Sequence, residues 1–147
     1  MPEKKLSIEE FINTILGISN EELFNNEQID AQSIFLGGEC YEFALVLKEF
    51  ITNSVIVIDN KNEHCAVQFQ GRIYDSRGDV TNTFKGRIAR EEDIDYMEDR
   101  FGVPEKSFID GQRISGYLIN YIKKCRFIDR LPFYSPKEEV SLGNNRE

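Results

Sequence analysis

A cysteine that opens a predicted helix is the residue in this chain best placed for nucleophilic chemistry. Cys40 follows Gly37-Gly38-Glu39, and apolar residues recur at helical spacing after it. The positive end of the helix dipole and the unpaired N–H groups of the first turn favour a thiolate there and could bind an oxyanion. Glu39 and Glu42 act against the thiolate by like-charge repulsion. The glycine pair leaves room for a substrate to approach the sulfur.

A predicted β-hairpin brings a histidine and an aspartate together. The segment after His64 alternates with period two, Gln70-Gly71 forms a turn, and a second strand ends at Asp75. If Phe69 lies opposite Arg72, His64 and Asp75 become diagonal neighbours on one face of the hairpin. A shift of one residue would place them on opposite faces. The favoured register points three apolar side chains toward the core: Val67, Phe69 and Tyr74.

The segment from Gly37 to Asp79 resembles the papain-like superfamily in its broad sense, and it is closest to compact transglutaminase-like and bacterial cysteine peptidase or amidase members. In that superfamily a cysteine at a helix N-terminus is followed by a histidine on one strand and an acidic or amide residue on the next. The resemblance implies that Cys40 is the nucleophile, His64 the general base and acid, and Asp75 the residue that orients the imidazole. It also implies a thioester intermediate, without a cofactor.

Some residues near the cysteine depart from that pattern. Many papain-like peptidases carry a glutamine shortly before the nucleophile, which helps to form the oxyanion hole. Gln32 is the upstream candidate here, and it lies further away. Tyr41, instead of a tryptophan, follows the cysteine. These departures leave peptidase, amidase, deamidase and transglutaminase activities open. The candidate contacts for the substrate or the oxyanion are Gln32, Gly38, Glu39 and Tyr41.

Each candidate residue also has a structural interpretation. Cysteine is among the most buried residue types, and Cys65 and Cys125 are both predicted to lie in the core. His64 could be a surface residue beside a polar turn. Asp75 could cap a turn through its side chain, and Asp79 is the second candidate for orienting the imidazole.

Charge and composition restrict the class of partner. The chain has 147 residues, with 26 acidic and 18 basic side chains and a formal charge of −8. This balance argues against nucleic acid or an anionic membrane surface as the main partner. It is compatible with a basic or a neutral partner and would suit a peptide or protein substrate with basic character. No segment approaches the roughly 20 apolar residues of a membrane span, and the N-terminus has no apolar block of a secretory signal. A cytoplasmic location is expected.

Three cysteines and one histidine also restrict the possible metal and disulfide chemistry. The cysteines are too few and too widely spaced for a disulfide scaffold, so reduced thiols are expected. No CxxC pair occurs, which argues against a structural zinc site.

The pattern of apolar residues predicts a single α+β domain over 1–135 with a papain-like core, in which the helix that carries Cys40 packs on a small antiparallel sheet. A flexible tail is predicted over 136–147. Ser7 and Glu10 form a predicted capping box. Further predictions are a first helix that ends at Gly17, a short helix over 20–24, an irregular segment over 31–38, a strand over 54–58, and helices over 91–100 and 114–125.

Two functions of different classes fit these residues. The first is a thiol-dependent hydrolase or acyltransferase that uses Cys40, His64 and Asp75 on an amide bond of a peptide or protein side chain. The second is a non-enzymatic acidic module that binds a protein partner, as a small effector or phage-accessory inhibitor, with a structural cysteine and histidine.

Overall fold

The fold consists of helices packed around one antiparallel sheet. The computed structural model describes residues 4–25, 30–101 and 112–136. Those residues form five α-helices, one 3-10 helix and five strands, so the predicted α+β class is confirmed. The helices are α1 (Ile8–Glu22), α2 (Ala31–Leu36), α3 (Cys40–Phe50), α4 (Glu91–Phe101) and α5 (Ile114–Lys123), followed by the 3-10 helix (Arg126–Arg130). The strands are β1 (Val55–Asp59), β2 (Cys65–Phe69), β3 (Arg72–Asp75), β4 (Gly78–Asp79) and β5 (Gly86–Ile88).

One hydrophobic core extends from Phe11 in α1 to Leu131 after the 3-10 helix. The single-domain assignment over 1–135 stays a prediction, and the predicted tail over 136–147 lies, except for Pro136, outside the described residues. None of the helices in the described part of the chain combines the length and the apolarity that crossing a bilayer requires.

The first helix begins as predicted but ends later. Ser7 Oγ accepts the Glu10 N–H at 3.0 Å, and the Glu10 carboxylate accepts the Ser7 N–H at 2.9 Å, so the capping box is confirmed. The helix continues through Gly17 to Glu22, and the predicted end at Gly17 and separate helix over 20–24 are wrong. A glycine inside a helix costs about 1 kcal/mol. Burial of Leu16 and its apolar neighbours on the same helix outweighs that cost.

The segment predicted to be irregular contains the short helix α2. Asp30 caps this helix by accepting the Ser33 N–H at 3.1 Å, and Asn20 Oδ1 accepts the Ala31 N–H at 2.7 Å. Phe35 is 1% exposed and packs in the core. The prediction failed because α2 is stabilised by a contact from α1 and by burial, which short-range periodicity does not reveal.

The sheet has the strand order β4-β3-β2-β1-β5, and every neighbouring pair is antiparallel. In the hairpin formed by β2 and β3, Phe69 lies opposite Arg72, which confirms the predicted register. Gln70 and Gly71 both have positive φ angles, of 51° and 79°, as a two-residue hairpin turn of right-handed twist requires. Val67 lies in the core, and Phe69 and Tyr74 pack against it.

The helix α3 contacts β1 and β2 of the sheet and also packs against α5. Its Glu42 side chain, only 3% exposed, connects it to α5: one carboxylate oxygen accepts from Arg113 Nη2 at 2.7 Å, and the other accepts the Ser115 N–H at 2.8 Å. Arg113 also donates to Glu98 in α4 at 2.8 Å. The negative charge of Glu42, expected from the sequence to oppose a thiolate at Cys40, is therefore balanced by Arg113.

Two of the three cysteines are buried. Cys65 is 1% exposed, which confirms its predicted place in the core. The helix α5 ends at Lys123, so Cys125 lies after it and is half-buried. The prediction that Cys125 belongs to the core is wrong, because the helical stripe that it was assigned to stops before it.

The close approach of β5 to β1 depends on Gly86. A Cβ atom at this position would overlap the carbonyl oxygen of Ile58 and lie 2.8 Å from the Asp59 Cα, and both are backbone atoms. We expect Gly86→Ala to lower the free energy of unfolding by about 1–3 kcal/mol, the usual cost of overpacking. Gly17→Ala is the matched control, because nothing lies within 4 Å of the added atom in α1. It should raise that free energy by about 0.5–1 kcal/mol.

Urea unfolding at 25 °C measures both values. Equal effects from the two substitutions would contradict this explanation of Gly86.

Candidate active site

The structure places Cys40 at the first position of α3, where its side chain is almost fully buried, with 2% exposed. The preceding residue, Glu39, makes no side-chain capping hydrogen bond, so its carboxylate does not occupy the N–H groups of the first helical turn. When protonated, the Cys40 thiol donates to the carbonyl oxygen of Glu63 at 3.8 Å. This contact brings the start of α3 next to the residues that lead into β2.

Hydrogen bonds to its backbone N–H and to its imidazole ring hold His64 in place. The Asp59 carboxylate accepts the N–H groups of Glu63 at 2.8 Å and of His64 at 3.1 Å, which fixes the turn between β1 and β2. The imidazole Nε2 lies 2.8 Å from Oδ2 of Asp75. The imidazole and Cys40 also shift each other's pKa, so the two groups are neighbours. Because Asp75 occupies Nε2, Nδ1 is the nitrogen left for the sulfur.

Asp75, rather than Asp79, is the acidic residue that contacts the histidine. Asp75 is 2% exposed, and its side chain accepts from His64 and Arg77. Asp79 instead accepts from Arg72 Nε at 2.9 Å and from Thr81. The confirmed hairpin register explains this choice, because it places His64 and Asp75 on the same face.

The surroundings of the cysteine and the histidine favour an ion pair. A hydrogen bond with Cys65 lowers the pKa of Cys40 the most, burial raises it, and the hydrogen bond and charge of His64 lower it further, to about 5. Burial lowers the pKa of His64, but the hydrogen bonds to Asp75 and Cys40 raise it by more, to about 9. Between these two values Cys40 is a thiolate and His64 an imidazolium.

Two neighbouring groups support that ion pair: a protonated Cys65 thiol beside Cys40 and a deprotonated Asp75 beside His64. The hydrogen bond with Cys40 and burial raise the pKa of the Cys65 thiol, so Cys65 stays protonated and can donate to the Cys40 sulfur. Burial raises the pKa of Asp75, but the hydrogen bonds from His64 and Arg77 outweigh it and hold the pKa below its usual value. Asp75 therefore remains a carboxylate.

An open cavity of about 470 Å³ adjoins His64. Its wall combines the exposed glycine pair that precedes Cys40 with several charged side chains from three parts of the chain. The lining residues are Leu36, Gly37, Gly38, Asp59, Glu63, His64, Arg77 and Arg100. Within the described ranges no group of three or more His, Cys, Asp or Glu side chains is arranged to hold a metal ion.

The remaining candidate contacts divide into two groups. Gly38 lines the cavity and Glu39 is the N-cap of α3, so both lie beside Cys40. The Gln32 amide instead donates to the carbonyl of Ser76 at 3.2 Å and holds α2 against the loop that follows Asp75. The Tyr41 side chain is 1% exposed and its hydroxyl donates to Glu98. A contact of Tyr41 with the substrate or the oxyanion stays a prediction.

Arg77 is the residue of this site that the sequence analysis missed. Its backbone N–H donates to Asp75 Oδ1 at 2.8 Å, and its guanidinium donates to Oδ2 at 2.6 Å. An aspartate side chain that accepts the N–H two residues later forms an Asx turn, so the turn cap considered for Asp75 from the sequence is present. The ion pair with the Arg77 guanidinium was not predicted, although the spacing Asp75-Ser76-Arg77 could have indicated it.

Comparison with known proteins identifies one family. No curated protein and no solved structure matches the chain. A family profile matches residues 17–119, which is about 70% of the chain and includes Cys40, His64 and Asp75. The chain therefore belongs to the family described as Phage YunG-like protein.

Proposed function

We propose that this chain is a cofactor-independent thiol enzyme that acts on an amide bond through Cys40, His64 and Asp75. The observation that carries the proposal is the position of the His64 imidazole. Its Nε2 lies 2.8 Å from the buried Asp75 carboxylate, and Cys40, at the start of α3, is close enough to raise the pKa of the ring. Nucleophile, base and orienting group then lie in the order that acyl transfer needs.

In the first half of the reaction the Cys40 thiolate attacks the carbonyl carbon of the substrate. A C–S bond forms, and the π electrons move to the carbonyl oxygen, which becomes an oxyanion. Cys40 is the first residue of α3, so the N–H groups of that first turn stabilise this charge together with the helix dipole. When the oxyanion collapses, the C–N bond breaks and the His64 imidazolium gives its Nδ1 proton to the leaving amine.

In the second half the thioester is transferred to an acceptor. Neutral His64 removes a proton from water or from an amine, the acceptor attacks the thioester carbon, and the C–S bond breaks to restore the thiolate. Throughout, Asp75 accepts from Nε2, which leaves Nδ1 for the proton transfers. Water as the acceptor gives peptidase, amidase or deamidase activity, and an amine gives transglutaminase-like activity.

The topology supports a papain-like core as part of this proposal. The cysteine begins α3, which packs against the sheet, while the histidine immediately precedes β2 and the aspartate ends β3. This order of elements is the one on which the resemblance to papain-like proteins rests.

The substrate in this proposal is a peptide or protein with basic character. The formal charge of −8 on the whole chain favours a basic partner. The exposed Glu63 carboxylate lines the cavity next to His64 and could attract a lysine or arginine side chain. Cys40, Cys65 and Cys125 are free thiols in the structure, so the proposal places the enzyme in a reducing compartment such as the cytoplasm.

Acylation by p-nitrophenyl acetate tests the proposal without knowledge of the natural substrate. We expect a burst of p-nitrophenolate and an acetyl group on Cys40, found by mass mapping after an acid quench. Cys40→Ser should abolish the burst. Cys125→Ser is the matched control and should retain it, because the half-buried Cys125 thiol lies outside the site and burial raises its pKa. Acetylation only at Cys125 would contradict the proposal.

A second function, the acidic binding module, is favoured by the burial of the cysteine. Cys40 is only 2% exposed, and its thiol can donate to a backbone carbonyl, as a structural cysteine does. If the chain is a binding module, we expect p-nitrophenyl acetate to acetylate Cys40 no faster than a buried thiol that has no activating histidine. The same mass mapping therefore distinguishes the two functions.

A further inference from the structure

We propose that Arg77 is a positioning residue, which acts on the cysteine and histidine by holding the Asp75 carboxylate in one orientation. This inference rests on the proposed function. Arg77 forms an ion pair with both carboxylate oxygens: Nη2 lies 2.6 Å from Oδ2, and Nε lies 3.2 Å from Oδ1. Oδ2 is also the atom that accepts from His64. The two residues therefore share one oxygen of Asp75.

The environment of Asp75 explains why such a partner is needed. Its side chain is 3% exposed, and a buried carboxylate with one neutral partner would tend to take up a proton. Arg77 supplies three of the donors: its backbone N–H, Nε and Nη2. The planar guanidinium matches the geometry of a carboxylate, so it fixes the plane of the group as well as its charge. In that plane Oδ2 faces the imidazole.

If Arg77 acts by positioning Asp75, its loss lowers the pKa of His64. If it acts only through its charge, its loss raises that pKa. The charge of Arg77 by itself disfavours an imidazolium nearby, so removing only that charge would raise the pKa of His64. Loss of the oriented carboxylate would lower it, because the hydrogen bond to Asp75 is the first of the contacts that raise it. The other charged or titratable groups around the imidazole are Cys40 on α3, Asp59 and Glu63 before β2, Asp75 on β3, and Arg100 on α4.

An NMR titration of the imidazole measures this sign directly. His64 is the only histidine of the chain, so its ring signals need no assignment. We expect Arg77→Ala to lower the pKa of His64 by about one unit or more from its value of about 9. Arg72→Ala is the matched control, since Arg72 lies on the same hairpin and pairs with Asp79 instead. In this control the His64 pKa should stay at the wild-type value.

An unchanged or raised pKa in Arg77→Ala would overturn the inference. If that variant does not fold, Arg77→Lys decides, because lysine keeps the charge and the backbone N–H but cannot bind both oxygens in one plane. Positioning predicts a lowered His64 pKa in this variant, and a charge effect predicts no change. Acetylation of the wild-type Cys40 is followed separately: its absence would overturn the proposed function, whereas the NMR titration still decides the role of Arg77.

Discussion

In the His64→Ala variant we expect iodoacetamide to alkylate Cys40 with a pH midpoint about 2 units or more above the wild-type value of about 5. The substitution removes the hydrogen bond and the positive charge of the imidazolium, while burial still raises the thiol pKa. The hydrogen bond with Cys65 stays and lowers it. At pH 6 a shift of 2 units decreases the thiolate fraction about tenfold.

The midpoint is the decisive quantity, because a thiolate of higher pKa is also a stronger nucleophile and partly offsets its lower population. Mass mapping of the alkylated chain at each pH gives the midpoint for Cys40 alone. Cys65 and Cys125 serve as internal controls: their thiol pKa values are raised, so both should stay unlabelled at pH 6. An identical midpoint in wild type and variant would mean that His64 does not stabilise the thiolate.

In the Asp75→Asn variant we expect acetylation of Cys40 by p-nitrophenyl acetate to slow by a factor of roughly 10² to 10⁴. Each hydrogen-bond partner of the Asp75 side chain is a donor: His64 Nε2 and three N–H groups of Arg77. A carboxylate accepts from all of them, but an asparagine has one oxygen. In one orientation the NH₂ group of the asparagine faces the N–H donors of Arg77, so donor opposes donor. In the other it donates to His64 Nε2, so the imidazole proton stays on Nδ1, the nitrogen needed for Cys40.

The pH dependence of acetylation gives a second measure of the same change. The carboxylate raises the pKa of His64, so its loss should move the upper limit of the ion-pair range down from about 9 toward the ordinary histidine value of about 6.5. Asp79→Asn is the matched control, because Asp79 lies on the neighbouring strand β4 and binds Arg72 and Thr81. It should leave both the rate and this limit near the wild-type values. Equal losses in the two variants would mean that the effect is one of stability.

The features of this protein that depend on short-range sequence patterns were predicted correctly. The capping box of Ser7 and Glu10, the start of α3 at Cys40 and the register of the β2–β3 hairpin are all present. Each depends on residues close together in the chain, such as a side chain that caps its own helix or a two-residue turn. Because side chains alternate along a strand, the register alone placed His64 and Asp75 on one face.

Several errors arose where burial outweighed local propensity. Gly17 does not end α1, because the apolar residues around it pack in the core and their burial exceeds the cost of a helical glycine. The short helix α2 forms because Asn20 of α1 binds the backbone of Ala31. In both cases the deciding contact or burial lies outside the short segment on which the prediction was based.

The sequence by itself determined which residues could form the site: one cysteine at a helix start, and one histidine and one aspartate brought together by hairpin register. Only the tertiary structure decided the state of these residues. In that structure Cys65 lowers the pKa of Cys40, Glu42 pairs with Arg113, and Asp75 lies between His64 and Arg77. The charge on a buried group depends on every donor and acceptor within a few ångströms, and those neighbours come from elements that sequence spacing does not relate.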